Sequence, residues 1–110
     1  MIRSVRNLDG SKTSAHSGYA AVNGLNLYYE IHGAGRPLVL LHGGFGTIGM
    51  FGELLPALAG RRQVVGVEVQ GHGHTADIDR PLRLELMADD VAALLEYLEL
   101  ETADIFGYSM

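Results

Sequence analysis

Residues 37–46 read PLVLLHGGFG, an apolar run that passes directly into a glycine-rich loop. An unbroken apolar run of this length indicates a strand buried on both faces, as in a parallel sheet. Gly43, Gly44 and Gly46 then favour a loop, because glycine readily adopts backbone conformations that other residues avoid. The stretch therefore predicts a buried strand whose carboxyl end carries a loop that a ligand can approach closely.

The flanking segments extend this strand into an alternation of strands and helices. Residues 19–22 and 25–32 enclose Asn23-Gly24, a pair typical of the two-residue type I′ turn of a hairpin. Downstream, two stretches with helical apolar spacing alternate with two apolar runs, in the order 50–58, 64–69, 84–98 and 103–107. Strands that alternate with helices pair in parallel through right-handed crossovers. The predicted fold class is therefore α/β, a mostly parallel sheet with a leading antiparallel hairpin.

The composition limits the class of protein. A chain of 110 residues supports one hydrophobic core rather than two independent domains. The net charge of −5 lacks the surplus of Lys and Arg that a nucleic-acid surface needs, and the apolar runs are too short to span a bilayer. We therefore expect neither nucleic acid nor membrane as a partner. Part of the acidic excess is expected on the solvated face and end of the second helix: Asp89, Asp90, Glu96, Glu99 and Glu101.

The first residues of the chain are polar and lack the apolar region of a secretory signal. We interpret residues 1–18 as a polar, flexible tail and residues 19–110 as the domain, in a protein of the cytoplasm. The chain has no cysteine, which excludes a thiol nucleophile and cysteine-based metal sites. His72 and His74 are spaced as an H-x-H pair, but two histidines without further ligands rarely hold a metal. Neither a metal nor a cofactor is expected.

The glycine-rich loop also fits a dinucleotide-binding fingerprint. Gly44, Gly46 and Gly49 match G-x-G-x-x-G between a strand and a helix, and Glu68 follows 24 residues after Gly44, near the end of the next strand. Bulky side chains follow Gly49 directly, however, and a hairpin precedes a fingerprint that usually opens its domain. A Rossmann-like module is therefore the alternative hypothesis.

Three motifs in order favour another interpretation. Residues 40–46 (LLHGGFG), 70–75 (QGHGHT) and 107–110 (GYSM) each follow a predicted strand. Together they resemble the α/β-hydrolase family, namely its oxyanion loop, its R-G-H-G-x-S loop with Gln for Arg and Thr for Ser, and four residues of its G-x-S-x-G nucleophile elbow. The resemblance extends from Tyr19 to Met110. Each motif alone is weak, but three in order indicate the N-terminal half of an α/β-hydrolase fold.

The resemblance implies a role for each motif residue. Ser109 is the nucleophile, and the oxyanion hole is formed by the backbone N–H groups of Met110 and Gly44, with Phe45 as the neighbouring alternative. A serine at position 109 indicates an esterase, lactonase, C–C bond hydrolase or perhydrolase, acting on a small molecule. His42 begins the oxyanion loop and is interpreted as structural, because the family's base comes near the C-terminus. The remaining structural motif residues are Gly43, Gly71, His72, Gly73 and Gly107.

The same resemblance implies more chain, since the family supplies an acidic residue and a histidine after the nucleophile. We therefore expect an N-terminal fragment that hydrolyses nothing alone. Residues 103–107 would form an open sheet edge prone to self-association, and the strands over 38–41 and 64–69 would be partly exposed to water. A further hypothesis from a different class is a non-catalytic interaction fragment that pairs with a partner chain through this edge.

Overall fold

The computed structural model describes residues 2–6 and 12–108, with side chains from Ala15 onward. The strands are β1 (Ile2–Arg6), β2 (Lys12–Val22), β3 (Leu25–His32), β4 (Arg36–Leu41), β5 (Arg62–Glu68) and β6 (Asp104–Gly107). The helices are α1 (Leu54–Ala59) and α2 (Leu84–Tyr97), and a short 3-10 helix covers Ile48–Phe51. Among the described residues, none of the helices has the length and hydrophobicity of a membrane span.

The strands form one mixed sheet in the order β1-β2-β3-β5-β4-β6. Strand β4 pairs in parallel with both β5 and β6, while β3 joins β5 antiparallel. Asn23 and Gly24 have φ values of 51° and 83°, the two positive angles that a type I′ turn requires. The α/β class and the leading hairpin are thus confirmed. The antiparallel part is larger than expected, because the hairpin extends further toward the N-terminus.

Residues 2–6 and 12–18, which were expected to belong to a flexible tail, form strands in the structure. Strand β2 begins at Lys12 and pairs with β1 on one side and with β3 on the other. The ladder forms through backbone groups, which small and polar residues supply as well as apolar ones. Gly18 has a further role, since a Cβ there would meet the Tyr29 hydroxyl at 3.0 Å. The missing apolar run therefore gave no signal of this strand.

The two faces of the sheet are covered by different helices. On one face, Val39 joins the cluster that includes Val91 and Leu94 of α2. On the other face, Leu38 and Leu40 pack with Phe51 and the residues of α1, as the alternation of side chains along a strand requires. The expectation of partly wet strands over 38–41 and 64–69 is wrong for most of these positions, because both helices already cover them.

Strand β6 forms the free edge of the sheet next to β4. All four of its residues are exposed, including Ile105 at 57% and Phe106 at 45%. The expected open edge is present, whereas the apolar run alone had predicted a buried strand. An open apolar groove of about 460 Å³ lies between β6 and α2, with Leu84 and Ile105 in its lining. Within the described residues, β6 therefore has a hydrogen-bonding partner on one side only.

One acidic residue of α2 lies in the interior. Asp89, Glu96, Glu99 and Glu101 are exposed as expected, but the solvated position expected for Asp90 is wrong. Its carboxylate pairs with Arg80 at 2.7 Å and accepts a hydrogen bond of 3.0 Å from the Asn23 amide. The segment that precedes α2 carries Arg80 to this face, which helical spacing alone could not indicate.

Candidate active site

The loops after β4 and β5 leave the sheet side by side, because these two strands are parallel neighbours. Three hydrogen bonds join the segment 42–48 to the segment 68–72. They run from the Val69 N–H to His42, from the Phe45 N–H to His72, and from the Ile48 N–H to Glu68. In each case a backbone N–H donates to a side chain, so three polar side chains determine how the two loops lie against each other.

His42 links the two loops from the interior. Its Nε2 accepts the Val69 N–H at 3.1 Å, so its Nδ1 carries the proton and donates to the Gly43 carbonyl at 2.7 Å. Burial lowers the pKa of this imidazole, because desolvation disfavours its charged form. With both ring nitrogens bonded to the backbone, His42 is arranged as a link between loops and not as a base.

His72 repeats the same arrangement one loop further on. Its Nε2 accepts the Phe45 N–H at 3.1 Å, and its Nδ1 donates to the Gln70 carbonyl at 2.9 Å. The two imidazole rings lie 4.8 Å apart. The Phe45 N–H is consequently already bonded, and it would have to leave His72 before it could donate to a substrate oxygen.

Gly44 is the open position of the loop. Among the described residues, its N–H has no hydrogen-bond partner. The residue is exposed, and a Cβ built on it would meet no atom within 4 Å. Phe45 follows with φ 63° and a fully exposed ring. Of the two predicted oxyanion donors in this loop, Gly44 has the available N–H and Phe45 does not.

Glu68 lies beneath the loops with its carboxylate almost completely buried. One oxygen accepts the Ile48 N–H at 3.0 Å. The other accepts the backbone N–H of His74 at 2.7 Å and its ring Nδ1–H at 2.8 Å. Gly73 makes room for this arrangement, since a Cβ there would overlap the carboxylate.

These contacts disfavour the dinucleotide alternative. A ribose-binding carboxylate must face the ligand, whereas the Glu68 oxygens are occupied by donors of the protein itself. The glycines at 44, 46 and 49 also lead into a 3-10 helix of four residues. That element is too short to offer the helix N-terminus on which a pyrophosphate rests.

The predicted nucleophile and its neighbour lie outside the described residues, so no geometry is given for Ser109 or Met110. The preceding residues are placed. Gly107 pairs with Leu41, and the Tyr108 N–H donates to the Leu41 carbonyl at 3.1 Å. The chain therefore leaves β6 beside the point where the glycine-rich loop begins.

Gln70, which stands where the family motif has arginine, is bonded to a residue that the sequence motifs did not indicate. Gln70 is fully buried, and its Oε1 accepts from Nε and Nη2 of Arg80. Its amide donates to Asp77 at 2.7 Å and to the Arg80 carbonyl at 2.9 Å. A guanidinium thus reaches this site from ten residues further along the chain. The sequence shows that position 70 differs from the family motif, but it does not show that Arg80 contacts Gln70.

Thr75, which stands where the motif has serine, uses its hydroxyl to join β5 to β3. Its Oγ1 donates to the Glu68 carbonyl at 2.6 Å and accepts the Tyr28 N–H at 2.9 Å. The Tyr28 ring lies 4.3 Å from that of His74, whose side chain is otherwise exposed. Burial, together with a hydrogen bond to Glu30, raises the pKa of Tyr28 to about 12. The tyrosine is thus a neutral packing partner of the β5 loop, a contact the sequence did not indicate.

A metal site is not formed in the described part of the chain, where no group of three or more His, Asp or Glu side chains is placed to hold an ion. Gly71 and Gly73 have positive φ values of 76° and 51°. They allow the tight turns that bring both His72 and His74 back toward the strands.

Comparisons with known proteins agree with this architecture. A family model described as the alpha/beta hydrolase fold matches residues 36–110. The chain is 36% identical over 92 residues to a protein of Azorhizobium caulinodans named ‘Putative carbamate hydrolase RutD’, and the match covers 84% of this chain and 35% of RutD. It is 37% identical over 67 residues to a pimeloyl-acyl-carrier-protein methyl ester esterase of Stenotrophomonas maltophilia, covering 61% of this chain and 26% of the esterase.

Solved structures give the same result. The enol-lactonase from Burkholderia xenovorans LB400 matches with a TM-score of 0.80 at 31% identity, over 84% of this chain and 37% of that one. The epoxide hydrolase CorEH matches with a TM-score of 0.81 at 29% identity, over 86% of this chain and 33% of that one. The chain thus spans about a third of the length of these proteins.

Proposed function

This chain belongs to the α/β-hydrolase fold family, and on that premise we propose that it carries the nucleophile and the oxyanion hole of a serine-dependent hydrolase. The substrate class is a small ester, or a related compound cleaved at an acyl or C–C bond. Relatives named as an esterase and an enol-lactonase support this class. The compartment we propose is the cytoplasm.

The proposed reaction begins when the Ser109 Oγ attacks the substrate carbonyl carbon. A C–O bond forms, the carbonyl π electrons move to its oxygen, and the serine proton passes to a general base. The resemblance places that base later than residue 110, and the bonding of both ring nitrogens argues against His42 and His72 in this role. The N–H groups of Gly44 and Met110 donate to the oxyanion. Collapse of this intermediate expels the leaving group and gives an acyl-enzyme, which water hydrolyses.

The observation that carries the proposal is the state of the loop after β4. Gly44 is exposed, a Cβ built on it meets no atom within 4 Å, and its N–H has no hydrogen-bond partner among the described residues. The adjacent Phe45 N–H is bonded to His72. An oxyanion hole needs a donor that is already fixed in direction and free of other partners. Gly44 meets the second condition, since its N–H has no hydrogen-bond partner among the described residues. The bond from the Tyr108 N–H to the Leu41 carbonyl joins the end of β6 to the start of the loop that contains Gly44.

A test should use the longest reading frame that contains residues 1–110 and a fluorophosphonate probe, which reacts with activated serines whatever the natural substrate. Labelling is expected in the parent protein and lost in Ser109→Ala. Thr102→Ala is the matched control, because Thr102 is an exposed residue just before β6, at the end of the strand away from Ser109. This variant should be labelled like the parent. Equal labelling of Ser109→Ala and the parent would refute the proposed nucleophile.

A further inference from the structure

We infer that Glu68 is a positioning residue for the oxyanion loop, whose buried carboxylate sets the direction of the Gly44 N–H by fixing the loop at Ile48. This inference rests on the proposed function and goes beyond it, since it assigns a role to a residue that would not touch the substrate.

Glu68 accepts hydrogen bonds from both loops. Its three hydrogen bonds, from Ile48 N–H and from the backbone and ring of His74, measure 2.7–3.0 Å. The donors belong to both loops, so the carboxylate joins the end of the segment 42–48 to the turn that contains His74. Bonds to an ionised acceptor are stronger than neutral ones, and burial protects them from competition by water.

Gly44 lies between loop residues that hydrogen bonds hold in place. The loop is held at His42 through the Val69 N–H, at Phe45 through His72, and at Ile48 through Glu68. Gly44 is bonded to none of these groups and has no neighbour within 4 Å of a built Cβ. Its orientation therefore depends on the residues that fix the loop on either side of it.

A neutral side chain of the same shape cannot replace the Glu68 carboxylate. A glutamine offers one acceptor oxygen, and its NH₂ group would face a donor. At Glu68, where all the neighbouring partners are N–H groups, at least one bond must become a contact between two donors. Glu68→Gln should therefore release Ile48 or His74 while keeping the volume of the side chain.

The test measures the reaction of Ser109 with a fluorophosphonate in the longest reading frame that contains this chain. The Ser109 oxygen bonds to phosphorus, the P–F bond breaks, fluoride leaves and the serine proton passes to the general base. The phosphoryl oxygen occupies the oxyanion hole, so the maximal rate of inactivation reports the direction of the Gly44 N–H. Glu68→Gln should lower this rate by a factor of about ten or somewhat more, which is a smaller loss than the factor of about 10²–10³ typical when an oxyanion donor is removed. The probe concentration that gives half-maximal rate should not change.

The matched control is Asp90→Asn, since Asp90 is a similarly buried carboxylate that pairs with Arg80 and, among the described residues, forms no hydrogen bond to the segment 42–48. It should lower the melting temperature and leave the maximal rate unchanged. If Glu68→Gln does not fold, the exposed His74→Ala decides, because it removes one of the three contacts and should slow the reaction severalfold. Parental rates in the folded Glu68→Gln or, failing that, in His74→Ala would overturn the inference. Labelling that persists in Ser109→Ala would overturn the proposed function instead, and the inference with it.

Discussion

The loops after β4 and β5 differ sharply from the end of β6, although all three lie at the same side of one sheet. The two loops are joined by hydrogen bonds to His42, His72 and Glu68, and two of these three side chains are almost completely buried. Strand β6 has four exposed residues and a pairing partner on one side only within the described residues. The oxyanion side of the proposed site is therefore ordered by hydrogen bonds between two loops whose bonded residues are 20 to 27 positions apart in the sequence. Strand β6, which leads toward the predicted nucleophile, is open on one side within the described residues.

The largest effect should come from breaking the loop side at Gly73. Gly73→Val places a Cβ in the volume of the Glu68 carboxylate, at a backbone φ of 51° that a β-branched residue rarely adopts. We expect the free energy of unfolding to fall by about 3 kcal/mol or more, measured by urea denaturation. Gly49→Ala is the control, because a Cβ there meets only Thr47, at an ordinary 3.5 Å. Similar losses in both variants would contradict the role given to Gly73.

A smaller effect is expected in the pH dependence of stability, to which His42 of the loop region contributes. Burial lowers the pKa of His42 in the folded protein, so the unfolded chain binds the proton first as the pH falls. The stability that the neutral ring contributes is fully present above the unfolded value of about 6.5, and it is lost as the pH falls below that value toward the folded pKa. Urea midpoints between pH 7.5 and pH 5 should show this loss in the parent. In His42→Gln that component should be missing, and an unchanged pH dependence would exclude His42 as its source.

The smallest effect on stability is expected at the open edge. Ile105 is exposed on β6, so Ile105→Lys should change the free energy of unfolding by no more than about 0.5 kcal/mol. A lysine on an edge strand discourages pairing with another chain. Sedimentation velocity of the 110-residue chain should therefore show less self-association in Ile105→Lys than in the parent. Thr102→Lys, which makes the same charge change at an exposed position outside the strand, should associate like the parent.

The sequence predicted those parts of the fold that local patterns determine. Asn23-Gly24 has a conformational requirement of its own, and the apolar run over 37–41 leaves few alternatives to a buried strand. The first part of β2, residues 12–18, was missed because its pairing uses backbone groups and carries no apolar signal. The burial of Asp90 was missed because its partner Arg80 reaches it through a loop, and helical spacing describes only the helix.

The candidate site shows the same limit. The glycines and histidines of the loop were found as motifs, and the sequence left both Gly44 and Phe45 open as oxyanion donors. The choice between them depends on one bond from the Phe45 N–H to His72, which joins residues far apart in the chain. Glu68 was weighed as a ribose ligand or as a side chain in the packing face of its strand. Its contact with the loop was missed, because nothing in a single sequence shows that Ile48 and His74 donate to its carboxylate.

The exchange at position 70 has a consequence for how relatives of this chain are sought. Gln70 accepts two hydrogen bonds from the Arg80 guanidinium, so a guanidinium contacts the side chain at position 70 although the arginine of the motif is absent there. A search pattern that requires arginine immediately before the Gly-His-Gly triplet would pass over this protein and any homologue that shares its solution. A pattern that accepts glutamine there, provided that an arginine follows ten residues later and an aspartate ten residues after that, would retrieve them.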